Sequence, residues 1–194
     1  MNIEYEATFT NVNKDDIRAR LKNAGAILVK PEFLQKRINF DLPSGHEIKG
    51  GWLRVRDEED KITMSLKIIE GNKIENQKEI CLCIDSFSEG MDFLKSIGCV
   101  EKAYQETKRE IWTLNSVEIM IDEWPYLEPF VEVEGKSEEA VKEVSKKLGF
   151  DYAQALFAGV DVQYNKKYGL DCHVINNSIP RIAFNEPNPF VNSR

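Results

Sequence analysis

The chain has 194 residues, with 33 acidic against 26 basic side chains and a formal net charge of −7. That balance argues against a dedicated nucleic-acid binder, which would carry a basic surplus, while the length and the 42% apolar content suffice for one domain that buries its core without disulfides. No apolar run reaches membrane-spanning length and strand-like alternation begins at residue 3, leaving no room for a signal peptide, so the expectation is a cytoplasmic protein with no membrane partner.

Ile3, Tyr5, Ala7 and Phe9 alternate with Glu4, Glu6 and Thr8, the period-two pattern of a half-buried strand. Asn13 opens a helix that carries Ile17 and Leu21 on one face and stops at Gly25. Ile38 and Phe40 then interleave with Arg37, Asn39 and Asp41, and Leu53 and Val55 with Arg54 and Arg56. Ile62, Met64, Leu66 and Ile68 alternate with Thr63, Ser65 and Lys67, and Ile80, Leu82 and Ile84 with Glu79, Cys81 and Cys83. Ser86-x-x-Glu89 is a capping box ahead of a helix that ends at Gly98. Two strands follow around 104–114 and 117–122, and a last one runs from Phe130 to Glu134. Ser137 starts a third helix that reaches Gly149, and a fourth is expected from about 152 to 168, closed by Gly169.

Eight strands make a barrel-sized set. The expected fold is α+β: an eight-stranded antiparallel β-barrel with helices packed outside, spanning residues 1–170. Residues 171–194 hold three prolines and five asparagines and predict an irregular tail. Leu21-Lys22-Asn23-Ala24-Gly25 echoes Leu94-Lys95-Ser96-Ile97-Gly98, and each is followed by a Lys-Arg strand, at Lys36-Arg37 and Lys108-Arg109, which points weakly to a duplicated half-barrel.

Several residues read as ordinary structure. Cys81, Cys83, Cys99 and Cys172 lack metal-site spacing and fit small, half-buried, reduced side chains. His46 and His173 sit beside loop formers, Trp52, Trp112 and Trp124 fit strand packing, and Gly50-Gly51 fits a turn with no phosphate-loop motif after it. Lys14-Asp15-Asp16 is helix N-terminal charge.

The informative feature is the second face of each strand. Glu4, Glu6, Glu79, Asp122, Glu132 and Glu134 supply carboxylates, while Arg37, Arg54, Arg56, Lys67 and Arg109 supply cations. A solvated sheet face explains any one strand taken singly. Turned into a closed barrel, so many charges cannot form a dry core, because desolvation costs several kcal/mol per ion. Arginines two apart on a strand point the same way, about 7 Å apart, a spacing suited to neighbouring phosphates. Clustered carboxylates call for a hard cation such as Mg²⁺ or Mn²⁺, and a metal-bound polyphosphate satisfies both signs of charge.

These residues resemble the CYTH superfamily of triphosphate-tunnel metalloenzymes. Glu4-Tyr5-Glu6-Ala7-Thr8 stands where the family has ExExK, and Leu53-Arg54-Val55-Arg56 where it has LR(I/V)R. Ser65-Leu66-Lys67, Lys78-Glu79-Ile80, Lys108-Arg109-Glu110-Ile111-Trp112, Ile121-Asp122 and Phe130-Val131-Glu132-Val133-Glu134 follow in family order, over about residues 3–150. The resemblance implies that Glu4, Glu6, Asp122, Glu132 and Glu134 hold Mg²⁺ or Mn²⁺. It implies that Arg37, Arg54, Arg56, Lys67 and Arg109 bind the triphosphate, that Glu79 orients basic neighbours or takes part in metal binding, and that Glu4, Glu6, Lys67 and Arg109 carry catalysis. The ligand would be a small-molecule triphosphate: a nucleotide, thiamine triphosphate or tripolyphosphate. Members of the family include thiamine triphosphatases, inorganic tripolyphosphatases, RNA 5′-triphosphatases and class IV adenylyl cyclases. Triphosphate hydrolysis is the primary expectation, with cyclisation of ATP to cyclic AMP and pyrophosphate, or non-catalytic polyphosphate sensing, as alternatives. Thr8 departs from the family lysine; its hydroxyl is too short to reach phosphates as an ammonium does. Lys61, Lys166 and Lys167 are the basic residues weighed as substitutes.

Overall fold

A computed structural model describes residues 1–191, so the last three residues of the tail expected over 171–194 lie outside the described residues. Nine strands lie side by side in the order β1 (Asn2–Ile3), β6 (Gln77–Ile84), β5 (Ile62–Ile69), β4 (Gly51–Asp57), β3 (Ile27–Asp41), β7 (Val100–Leu114), β8 (Val117–Glu123), β9 (Phe130–Gly135) and β2 (Tyr5–Phe9). All these pairings are antiparallel. The first and last strands of that order, β1 and β2, are consecutive in the chain. They form one N-terminal strand broken at Glu4, whose start pairs with β6 and whose end pairs with β9. The sheet therefore curls into a nearly closed antiparallel barrel. The Glu4 N–H donates to Gln77 O at 3.0 Å, and the Gln77 side-chain amide donates to Glu6 O at 2.8 Å, tying the two ends together.

The outward faces make the apolar cores. Helix α1 (Lys14–Ala24) and helix α3 (Glu138–Lys147) pack Ile17, Leu21, Val141 and Val144 on Ala7, Ile119, Ile121, Val131 and Val133. Helix α2 (Phe87–Ser96) lays Leu94 on Ile38, Phe40 and Val55. Asn13 accepts from the Asp15 and Asp16 N–H groups and Ser137 from Ala140, while of the capping box expected at Ser86 only the serine half forms among the described residues, the Ser86 hydroxyl accepting from the Glu89 N–H. Gly25 ends α1 at φ 81°, a left-handed turn that glycine makes without a Cβ penalty.

Three elements differ from the expectation. The strand expected near 37–41 runs from Ile27, because alternation is broken by Pro31 and by register shifts between Leu28 and Lys30 and between Lys30 and Phe33. The helix expected over about 152–168 is a short 3-10 turn, Tyr152–Gln154, then an extended stretch, then helix α4 (Asp161–Tyr168). The extended stretch arises because Leu156 spends both backbone groups on Thr8, donating to its carbonyl at 2.9 Å and accepting from its N–H at 3.0 Å. The irregular tail contains helix α5 (Cys172–Ser178) and strand β10 (Arg181–Ile182), which runs parallel to β7 at Tyr104 and Gln105. β8 reaches back only to Lys108 on that edge of β7, so β10 occupies ladder positions that β8 leaves open.

β3 follows α1, β7 follows α2, and the two strands pair with each other around Gln35↔Thr107. The separation of that pair in sequence equals that of Arg37 and Arg109, so the strand order is symmetric about it: β4 matches β8, β5 matches β9 and β6 matches β2. Among the described residues no helix is long and apolar enough to cross a membrane.

Candidate functional site

The inward faces carry the charges. β1–β2 brings Glu4, Glu6 and Thr8; β3 brings Gln35, Arg37 and Asn39; β4 brings Arg54 and Arg56; β5 brings Thr63, Ser65 and Lys67. β6 supplies Gln77 and Glu79, β7 Thr107 and Arg109, β8 Asp122, and β9 Glu132 and Glu134. The common parity follows from register: Glu6 lies opposite Glu134, Thr8 opposite Glu132, Arg109 opposite Asp122, and Lys67 opposite Glu79. Eleven charged residues singled out in the sequence thus meet in one chamber.

The chamber sorts its carboxylates into two sets. Glu4, Glu6 and Glu134 each place an oxygen within 4.8 Å of the others. Burial first, and then the negative charges of Glu6 and Glu4, push Glu134 up to about 8, while burial followed by the charge of Glu132 raises Glu6. Burial also raises Glu4, against the pull of Lys67. The Lys67 ammonium is the cation of this cluster, 2.7 Å from Glu4 Oε2 and 3.7 Å from Glu6 Oε1. In the second set, Arg109 grips Asp122, with Nε 2.7 Å from Oδ1, and reaches Glu132 Oε2 at 2.6 Å. Asp122 is fully buried and Glu132 is pushed up to about 7 by burial and by Asp122.

The remaining cations line the opposite wall. Arg54 pairs with Glu79 at 2.8 Å, and burial of that carboxylate is outweighed by Arg54 and Lys67, which hold it below the ordinary carboxylate value. Arg56 pairs with Glu58 at 2.9 Å. Arg37 alone among the chamber arginines has no carboxylate partner among the described residues. Its guanidinium bonds to Gln35 at 3.0 Å and to the Thr107 hydroxyl, and stacks 4.7 Å from the Trp124 ring. Burial, followed by the positive charges of Arg54, Arg56 and Arg109, drives its pKa well down. Arg37 Nε, Gln35 Nε2 and Asn39 Oδ1 are buried without hydrogen-bond partners among the described residues, so those residues leave this wall incomplete.

Beyond Arg37 an aromatic cluster fills the barrel end. Trp124 and Phe130 meet Tyr164, Ile175, Ile179, Ile182 and Phe190, with Tyr164 stacked on Phe190 at 4.1 Å and its hydroxyl donating to Pro125 O. Of the basic residues weighed as substitutes for a lysine at position 8, Lys167 is spent on Glu128 at 2.8 Å and Lys61 reaches Glu58 at 3.6 Å. The nearest ammonium to the Glu4–Glu6 pair is Lys67.

Sequence reasoning did not single out Gln35, Thr107 or Glu58. Gln35 and Thr107 share strand parity with Arg37 and Arg109, which is the signal that would have found them. Glu58 follows the Arg54–Arg56 strand and turns inward to meet Arg56 and Thr63.

Comparisons with known proteins agree with this architecture. Residues 1–158 match the CYTH domain family. Among solved structures, one from Pyrococcus horikoshii OT3 superposes with a TM-score of 0.68 at 20% identity, covering 84% of this chain and 99% of that one. A proposed adenylate cyclase from Vibrio parahaemolyticus superposes at 0.69 with 14% identity, covering 79% and 92%. A proposed adenylyl cyclase from Hippeastrum with dominant triphosphatase activity superposes at 0.56 with 16% identity, covering 87% and 98%. A comparison with curated protein sequences gave no match.

Proposed function

The chain belongs to the CYTH domain family, and from that premise we propose that it is a divalent-metal-dependent enzyme that hydrolyses a small-molecule triphosphate inside the barrel. The observation that carries this reading is the juxtaposition, in one buried chamber, of the Glu4–Glu6–Glu134 oxygens and a wall of Lys67, Arg54, Arg56, Arg37 and Arg109. The Hippeastrum protein, whose dominant activity is that of a triphosphatase, supports it.

A hard divalent cation fits the acidic cluster. Its donors are all carboxylate oxygens, they lie close enough to share one ion, and burial, with the charges of neighbouring carboxylates, raises all three above the ordinary carboxylate value. Glu4, Glu6 and Glu134 would hold Mg²⁺ or Mn²⁺, with Glu132 and Asp122 next to them on the Arg109 side. Bound there, the ion would neutralise phosphate charge and favour attack by water.

The chain's own cations do the rest. Arg37, with unsatisfied Nε and no carboxylate, is the open anchor for a phosphate group. Arg54 and Arg56 share the face of β4 and span neighbouring phosphates, while Glu79 and Glu58 keep their guanidinium groups oriented. Lys67 and Arg109 border the acidic cluster and would carry charge that develops on the transferred phosphoryl group. Water oxygen bonds to the terminal phosphorus, the bond from that phosphorus to the bridging oxygen breaks, and phosphate and a diphosphate leave, one water proton staying on the released phosphate and the other passing to solvent. The buried setting strengthens each of these contacts.

Adenylyl cyclisation is the second reading, favoured by the fold of the Vibrio protein. It uses the same chamber, with the nucleotide's own 3′-hydroxyl as nucleophile. Incubation with ATP, thiamine triphosphate or tripolyphosphate and Mg²⁺ or Mn²⁺, analysed for phosphate, pyrophosphate and cyclic nucleotide, tests the assignment. Metal-dependent phosphate release supports hydrolysis; cyclic AMP with pyrophosphate supports cyclisation; no product from any triphosphate refutes both.

A further inference from the structure

β6 ends on an open edge. Its first residues are covered by the N-terminal strand, with Asn2 opposite Glu79 and Ile3 opposite Lys78. From Ile80 to Ile84 its single neighbour among the described strands is β5. The Glu4 N–H bond to Gln77 O sets the phase: backbone groups of residues 77, 79, 81 and 83 point away from β5. Cys81 and Cys83 therefore present two N–H and two C=O groups to solvent.

Natural edges of this kind are blunted by charge, proline, bulges or a covering element. This one has none of these. Ile80-Cys81-Leu82-Cys83-Ile84 contains no charged residue, and Ile80 and Leu82 are 45% and 52% exposed. α2 lies over β4 and β5 and leaves the outer face of β6 bare at these two positions. Cys81 and Cys83 are exposed as well. The segment also reads the same in both directions, I-C-L-C-I.

We propose that this edge is the interface for a second copy of the chain, joined by antiparallel pairing of β6 with β6 about a two-fold axis at Leu82. A palindromic strand placed antiparallel to itself matches like with like. Leu82 meets its own copy, Ile80 meets Ile84 and Cys81 meets Cys83. The two Cys81–Cys83 pairs exchange backbone hydrogen bonds and consume every group left unpaired by β5. Leu82 falls on the non-hydrogen-bonded position, where side chains approach most closely. Charged residues flank the ladder on both sides, Lys78 and Glu79 before it and Asp85 after it, and limit it to these five positions. The result is one continuous sheet through two barrels, a closed isologous dimer.

Sedimentation velocity of the full chain over a dilution series tests this. Wild type is expected to show a concentration-dependent dimer, and Leu82→Lys, a change at an exposed site outside the chamber, a monomer that binds Mn²⁺ as wild type does. A second variant, Leu82→Cys with Cys81→Ser and Cys83→Ser, places the two residue-82 Cα atoms about 4.5 Å apart across the axis, within disulfide reach. Mild oxidation should convert it to a covalent dimer. A wild-type chain that stays monomeric up to its solubility limit overturns the proposal. So does a dimer that survives Leu82→Lys and gives no residue-82 cross-link.

Discussion

The Lys67 ammonium lies 2.7 Å from the Glu4 carboxylate, so the acidic N-terminal strand takes its cation from β5. Position 8, where the family motif has lysine, holds a buried Thr8 directly across from Glu132. Thr8 turns its backbone to Leu156, which makes Thr8–Glu132 a non-hydrogen-bonded pair with closely approaching side chains.

Thr8→Lys is accordingly expected to lower activity. A new ammonium at this position would pair with Glu132 and compete with Arg109 and Lys67 for the carboxylates. Steady-state kinetics on a triphosphate should show a loss of about a hundredfold, the scale of one misplaced charged contact at the transition state. A gain in kcat would mean that the chamber still works around an absent lysine.

Glu134→Gln separates the metal cluster from the arginine cluster. Removing one of three crowded carboxylates relieves repulsion, so the metal-free protein should melt no lower than wild type, while its Mn²⁺ affinity by calorimetry drops at least about tenfold. Glu132→Gln differs because it also weakens the bond to Arg109, and it should lower the melting temperature.

The pH dependence of the metal-free protein follows from the same carboxylates. Glu132 and Glu134 are raised to about 7 and about 8 from an ordinary value of 4.5. The folded chain therefore retains protons that the unfolded chain has released, and stability falls as pH rises through this window. Glu58 and Glu79 are shifted down, so their contribution disappears below the ordinary value. Metal-free melting temperature should peak near pH 5 and drop by roughly 5 °C by pH 8.5. Saturating Mn²⁺ should remove most of that decline, because the ion favours the ionised carboxylates.

Arg37→Met tests the open anchor. A buried guanidinium without a carboxylate costs desolvation energy, so an apolar replacement of similar volume should stabilise the ligand-free fold by about 1 kcal/mol. Tripolyphosphate should then raise the melting temperature much less than it does for wild type. Equal stabilisation of both proteins would place the phosphates elsewhere.

Tyr164→Ala probes the aromatic end of the barrel. The side chain is fully buried between Trp124 and Phe190, and its removal should cost about 3–5 kcal/mol. Thermal unfolding would register this as a fall of roughly 10 °C.

The barrel was legible because inward and outward residues differ sharply in type. Glu4, Glu6, Arg54, Arg56 and Lys67 alternate with apolar neighbours, and each short strand announced its own period. β3 was read too short because Pro31 and its neighbouring bulges interrupt alternation. The segment after Tyr152 was read as continuous helix because nothing local reveals that Leu156 pairs with Thr8. The division of labour inside the chamber was also hidden. That Asp122 is held by Arg109, while Glu134 joins Glu4 and Glu6, depends on cross-strand register, which no single strand encodes. The tail's role was masked because Ile175, Ile179 and Ile182 have the i, i+4, i+7 spacing of one helix face, which Pro180 interrupts, so that Ile182 falls in a strand instead.

The central claim is that the acidic cluster and the basic wall act together on a triphosphate. The most direct test is phosphate release from tripolyphosphate, ATP and thiamine triphosphate by the wild-type chain and Glu134→Gln, with Mn²⁺ and with a chelator. Metal-dependent phosphate release from at least one substrate is expected of wild type, abolished by chelation and reduced about a hundredfold or more in Glu134→Gln. Turnover that is indifferent to both the chelator and Glu134 would contradict it.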